Sequence, residues 1–188
     1  MFTKGEGALY EFLRSIGRPM EDCTGMTPVQ MVLGAGLLPK GSLLVHMNLL
    51  GEGDRELLKH SAGDYPVIHC PRTHAFFKRA PFDLKFFQES GIPLLIGTDS
   101  LASNQDLNMF SEMRAMESAF SELNPMEILS MATTRPASAI GMGGRLGELS
   151  PGAVADFIAI PDEGGAESLA ERVLANRMPP RVWISGRS

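Results

Sequence analysis

Three short apolar runs, each closed by an ionisable residue, restrict the folds open to this chain more than any other feature. "SLLVH" ends in His46, "YPVIHC" in His69 and its neighbour Cys70, and "PLLIGTD" in Asp99. None alternates polar with apolar residues, so each reads as a strand covered on both faces, as in a parallel sheet packed between helices. Asp54 to Ser61 reads as a helix between the first two runs. Phe82 to Ser90, closed by Gly91, reads as a helix between the second and third. Leu107, Phe110, Met113 and Phe120 mark an amphipathic helix of about four turns beyond the third. The closing residues lie 23 positions apart (69 minus 46) and 30 apart (99 minus 69), each interval suiting one strand–helix unit. Every unit thus sets one ionisable side chain at the carboxyl end of its strand. Parallel α/β folds, and (β/α)8 barrels above all, build their active sites at that end.

The flanks are also patterned. Leu9, Phe12, Leu13 and Ile16 fall at i, i+3, i+4 and i+7, one face of a helix that Gly17 and Pro19 close. Thr27-Pro-Val-Gln30 is a capping box that opens a second helix. Asn124-Pro125 opens another, with Glu127 at N3 in the same arrangement. Beyond about residue 144 the pattern changes to short strands and glycine turns around "ADFIAI" and "RVWISGRS". Residues 145–188 are therefore expected to form a small β element beside an α/β part spanning 1–144.

Bulk properties narrow the function. At 188 residues the chain suits one ordinary domain, and a net charge of −5 gives no basic footprint for nucleic acid. Two cysteines form no CxxC pair and no disulfide framework, which suits a reducing cytoplasm. No apolar run approaches the roughly 20 residues of a membrane span. The opening "MFTKGEGALYEF" is not followed by an apolar stretch, so no signal peptide is expected. Most of the 12 methionines sit at helical spacing and read as core.

Each polar strand end taken singly has an ordinary explanation: a hydrogen-bonded core histidine, or an aspartate capping the turn in "DSLASN". Three in register need pairing or a ligand, because burying them is otherwise costly. Imidazole and carboxylate suit zinc, iron or manganese, and a strand-end aspartate can take a proton from metal-activated water. His60 reads as a solvated surface residue. His74 and Arg72, just past the second strand end, face either substrate or their own loop. Cys70 points away from His69 and reads as packing. The chain has no HxH, HExxH or CxxC, so Asp99 alone is a comfortable metal ligand.

"LLVHMNLL", "VIHCPRTHAFF", "PLLIGTDSLASNQDLNMFSEMR", "ILSMATTRPASAIGM" and "GRLGELSPGAVADFIAI", in that order, resemble the C-terminal half of the amidohydrolase superfamily. The similarity is to the branch of adenosine-type and S-adenosylhomocysteine deaminases, cytosine deaminase-like enzymes and triazine chlorohydrolases. It runs over about residues 40 to 188, and the expectation is that it extends over all of the chain. The resemblance implies part of a (β/α)8 barrel, its last three or so strand–helix units, with C-terminal strands of a composite β-sandwich. It implies one divalent metal, zinc first, with iron or manganese as alternatives. His46 matches a residue that positions and polarises substrate and water, and His69 a residue near the pocket. Asp99 matches a metal ligand and proton shuttle, while Ser100, Ser103 and Asn104 match the loop beside the substrate. The HxH and strand-five histidine of the family have no counterpart in residues 1–40, and "HCPRTH" departs from the commoner His-Asn-Pro-x-Ser-Asn. The expectation is a portion of a deaminase of a purine-like or related heterocycle, inactive alone and binding metal weakly or not at all. A missing N-terminal half of the barrel would be its partner. The alternative is a true half-barrel that completes a barrel with a separate chain or acts as a non-catalytic homo-oligomer. A monomeric binding module is a third reading.

Overall fold

The computed structural model describes residues 1–162, 164 and 168–187. The chain opens with α1 (Ala8–Ser15) and α2 (Pro28–Leu33). The apolar stripe of α1 forms as expected but is left uncovered: Leu9, Phe12 and Ile16 are exposed. The capping box of α2 forms, with Thr27 Oγ1 accepting from Gln30 N at 3.1 Å and Gln30 Oε1 accepting from Thr27 N at 3.0 Å.

Strand β1 (Leu44–Val45), helix α3 (Asp54–His60), strand β2 (Val67–His69), helices α4 (Pro71–Phe76) and α5 (Leu84–Glu89) and strand β3 (Leu94–Ile96) follow. The buried Asp54 carboxylate ties α3 to α2, accepting from Thr27 Oγ1 and from Gly51 N. The strands form one parallel sheet in the order β1-β2-β3, pairing Val45 with Ile68, Ile68 with Leu95, and His69 with Ile96. Their carboxyl ends therefore finish side by side.

Helices α6 (Met109–Ala119), α7 (Pro125–Ala132) and α8 (Thr134–Ala139) come next. The α6 helix has 11 residues, about three turns rather than the four expected. It starts late because Asn108 caps it, accepting from the Phe110 and Ser111 amides, which leaves Leu107 outside and exposed. The capping box expected at α7 is half made. Asn124 caps the Met126 amide at 2.8 Å, but Glu127 pairs instead with Arg135 Nη2 of α8 at 3.1 Å.

The core lies between the sheet and these helices: Val67, Leu94 and Ile96 meet Phe82, Phe87, Ile92, Met113, Met116, Ile128 and Met131. Met113, Met116 and Met131 are buried in this core and Met47 and Met109 pack against it, but Met26, Met126 and Met178 are exposed, so fewer methionines are core than their helical spacing suggested. Strands β4 (Phe157–Ala159) and β5 (Arg181–Trp183) make an antiparallel pair, Phe157 stacked on Trp183 at 4.9 Å. Between them the polar stretch holds α9 (Leu169–Ala175), opened by a Ser168–Glu171 capping box. It docks Ala170 and Leu174 onto α6 and α7, and Arg114 of α6 donates to its last carbonyls, Leu174 O and Asn176 O. No helix among the described residues is long and apolar enough to cross a membrane.

Candidate active site

The carboxyl ends of β1 and β3 carry an unusual backbone. His46 (φ 74°), Met47 (φ 46°) and Asp99 (φ 57°) all take left-handed conformations without being glycine. L residues hold such angles only where the surroundings impose them, and such residues cluster at functional sites. The sheet ladder runs up to these residues. His46 N donates to Ile68 O at 2.8 Å, and Gly97 N donates to His69 O at 2.9 Å, carrying the ladder one residue past β3. Gly97 is required for that closeness, since a Cβ there would lie 2.7 Å from Ile68 Cγ2. Turning out of the ladder on either side of β2, the two side chains meet: His46 Nε2 lies 3.6 Å from Asp99 Oδ2, both partly open to solvent.

The third strand end behaves differently. His69 is only 2% exposed, with its ring stacked on Phe82 at 4.0 Å and the His74 edge 5.3 Å away. Burial, then the nearby His74 and His46, push its pKa down to about 3, so it is neutral at physiological pH. Burial also lowers His74, against a bond to the Ala80 carbonyl that works the other way. Nδ1 of His69 and Nδ1 of His74 are buried with no hydrogen-bond partner among the described residues. Cys70 is buried, and its thiol is pushed up to about 11 by burial and then by the charges of Asp99 and Glu112, so it stays protonated. His60 is exposed at the end of α3, its Nδ1 2.7 Å from Glu56 O.

The loop after β3 is tied to α4. Ser103, 5% exposed, meets Thr73 Oγ1 at 2.9 Å and reaches Asp99 Oδ2 at 3.4 Å. Asn104 Nδ2 donates to Thr98 O at 2.9 Å and to Glu112 Oε1 at 2.5 Å. Arg72 Nη1 donates to Asp106 Oδ1 at 2.5 Å and holds that carboxyl below its usual range. Ser100 stays exposed beside Asp99. An open cavity of about 420 Å³ lies alongside, lined by His46, Asn48, Thr73, Phe77 and Arg79. Two participants escaped the sequence reading, Thr73 and Glu112. The signal for Glu112 was a charge set among Met109, Met113 and Met116 on the buried stripe of α6.

As a metal centre this arrangement is incomplete. His46 and Asp99 offer two donors, and no group of three or more His, Cys, Asp or Glu among the described residues is placed to hold an ion. A zinc site needs three or four ligands, and the His46–Asp99 pair supplies at most two of them.

The chain belongs to the amidohydrolase family: that family's model matches residues 11–188. It is 30% identical over 177 residues to a 5-methylthioadenosine/S-adenosylhomocysteine deaminase of Teredinibacter turnerae, a match covering 86% of this chain and 39% of the relative. It superposes with a TM-score of 0.76 and 28% identity on a zinc-bound adenosine deaminase from Xanthomonas campestris, over 87% of this chain and 40% of that one. The fold is also shared with Helicobacter pylori aminofutalosine deaminase in complex with methylthio-coformycin, at a TM-score of 0.80 and 19% identity, over 99% of this chain and 46% of that one. The chain thus spans about two-fifths of the length of the relative from Teredinibacter, 39% of it.

Proposed function

We propose that this chain is the C-terminal portion of a metal-dependent amidohydrolase that deaminates a purine-like or related heterocycle, cleaving a C–N bond that is not a peptide bond. The observation that carries the reading is the His46–Asp99 pair, 3.6 Å apart at the open carboxyl ends of an in-register parallel sheet. In this reading residues 1–144 are the last three strand–helix units of a (β/α)8 barrel, and residues 145–188 contribute strands to a small β-sandwich. The names of the deaminase relatives support an adenosine-type substrate as the first to try.

The chemistry assigned to this chain is proton transfer and positioning. The Asp99 carboxylate takes a proton from the attacking water and returns it to the departing nitrogen. His46 hydrogen-bonds the charge that develops on the ring. Ser100 and His74 meet the substrate at the rim. Arg72, Ser103 and Asn104, which line a separate cavity behind Asp99, hold the loop that carries it, and the neutral His69 lies buried beneath the strand ends. A divalent metal, zinc or else iron or manganese, would supply Lewis acidity at such a site, and it requires donors from outside this chain. The missing N-terminal half of the barrel is the proposed source of those donors, and a reducing cytoplasm the proposed setting.

The test is ammonia release from 5′-methylthioadenosine and adenosine. The isolated chain is expected to turn over near background. Mixed with the part of the Teredinibacter relative that it does not cover, it is expected to gain activity that Asp99→Asn lowers by about 10²–10⁴. Activity of the isolated chain, indifferent to Asp99→Asn, would refute the reading. A second reading, a half-barrel acting as a homo-oligomer, draws on the uncovered stripe of α1 and the exposed Leu43 and Val45 around the edge strand β1. Light scattering separates them: a defined oligomer without hydrolase activity in any mixture supports the second.

A further inference from the structure

We infer that Glu112 is a positioning residue, which aims the Asp99 carboxylate by clamping the 98–104 loop to the start of α4. The inference rests on the reading of His46 and Asp99 as the reacting pair. Glu112 lies on α6, touches no reacting group, and is completely buried. Its two oxygens serve two different segments. Oε2 accepts the backbone N–H of Arg72 at 3.1 Å, and Oε1 accepts from Asn104 Nδ2 at 2.5 Å.

The first bond repairs a weak helix start. Cys70, the N-cap of α4, makes no side-chain cap bond, and Pro71 has no N–H to satisfy. The Arg72 N–H is therefore the first donor left open, and Glu112 caps it from a neighbouring helix. The second bond holds the loop. Asn104 also donates to Thr98 O at 2.9 Å, which closes the loop over its own first residue. One carboxylate thus links the segment after β2 to the segment after β3. A parallel tie runs from Thr73 Oγ1 through Ser103 Oγ to Asp99 Oδ2, at 2.9 and 3.4 Å. Between these anchors sits Asp99 in its left-handed conformation, which a loose loop would relax.

A carboxylate is a poor choice for packing here. Met109, Met113 and Met116 flank the position, and burial raises the proton affinity of Glu112. An apolar side chain of similar volume would fill the site at less desolvation cost. What the carboxylate adds is direction: two acceptors aimed at two donors from separate loops. Arg72 Nη1, 3.8 Å from Oε1, adds charge balance at the same point.

The experiment reads the His46–Asp99 pair directly in the 188-residue chain. The protein has 4 histidines, so ring signals from ¹⁵N-histidine labelling are assignable with single His→Gln variants. Asp99→Asn is introduced into wild type, Glu112→Gln, Glu112→Leu and Asn104→Ala backgrounds. Gln at 112 offers one acceptor oxygen to two donors, Leu offers none, and Asn104→Ala cuts the clamp at its other end without touching the core. In wild type, Asp99→Asn is expected to move the His46 ring signals. In each of the three backgrounds that movement should fall to less than half, while the His69 signals, set by the Phe82 stack, stay in place. An equal Asp99→Asn response in wild type and in all three backgrounds overturns the clamp and leaves the pair standing. No response in wild type overturns the pair, and the clamp with it. A merely structural role for Glu112 would move the His69 signals together with those of His46 and leave Asn104→Ala silent, which also overturns the clamp.

Discussion

Lowering the pH should destabilise this fold through one identifiable side chain. His69 titrates near 6.5 in an unfolded chain and at about 3 in the folded one, because its buried ring on Phe82 resists charging. The unfolded state therefore binds the proton first. The stability His69 allows is complete above the unfolded value and is lost as pH falls below it, until the folded group also titrates. Within that window the loss is about 1.4 kcal/mol per pH unit, so roughly 5 kcal/mol across it and about 2 kcal/mol between pH 7.5 and pH 5. The perturbation is His69→Phe, which keeps an aromatic ring against Phe82 and removes the titration. Urea unfolding followed by far-ultraviolet circular dichroism at the two pH values gives the difference for each protein. Groups common to both cancel, so wild type should lose about 2 kcal/mol more than the variant. Equal losses would mean that His69 charges without penalty, and the burial argument would be refuted.

Three further outcomes follow from particular contacts. Gly97→Val puts a side chain where a Cβ already lies 2.7 Å from Ile68 Cγ2, and should lower stability by about 1–3 kcal/mol in the same urea assay. In the complemented enzyme, Asp99→Asn should lower kcat by about 10²–10⁴ with little change in KM, measured by steady-state ammonia release. Phe12→Lys, on the exposed stripe of α1, should change stability by no more than about 0.5 kcal/mol and, under the homo-oligomer reading, reduce self-association in light scattering.

The parts of this fold that the sequence made legible are those where one signal acts alone. Unbroken apolar runs identified β1, β2 and β3, and the residues closing them marked the carboxyl ends at which His46 and Asp99 meet. Competition between signals hid the rest. Glu127 satisfied the capping-box pattern, but Arg135, eight positions away in sequence, offers it a full charge and takes it. The α6 helix is shorter than its stripe because Asn108 caps more strongly than Leu107 extends. The α4 helix is only 6 residues long, too short for periodicity, and Pro at its first position was its single mark. The capping box of α9 was present, but two buried positions, Ala170 and Leu174, are too few to stand out in a polar stretch. His69 and Asp99 close similar runs yet have opposite surroundings, because whether Phe82 folds over a strand end is a tertiary matter. The clamp at Glu112 joins residues 40 apart in the chain, and only the meeting of α4 with α6 reveals it.

In the proposed reading this chain carries one side of a metal-dependent active site, and the other side comes from outside it. Equilibrium dialysis against zinc tests it most directly, on the chain alone, on the chain complemented with the segment of the Teredinibacter relative that it does not cover, and on that complex with Asp99→Asn. No stoichiometric zinc is expected on the chain alone, one zinc per complex, and an affinity weakened about tenfold or more by Asp99→Asn. Tight one-to-one zinc on the isolated chain, or a complex indifferent to Asp99→Asn, would contradict it.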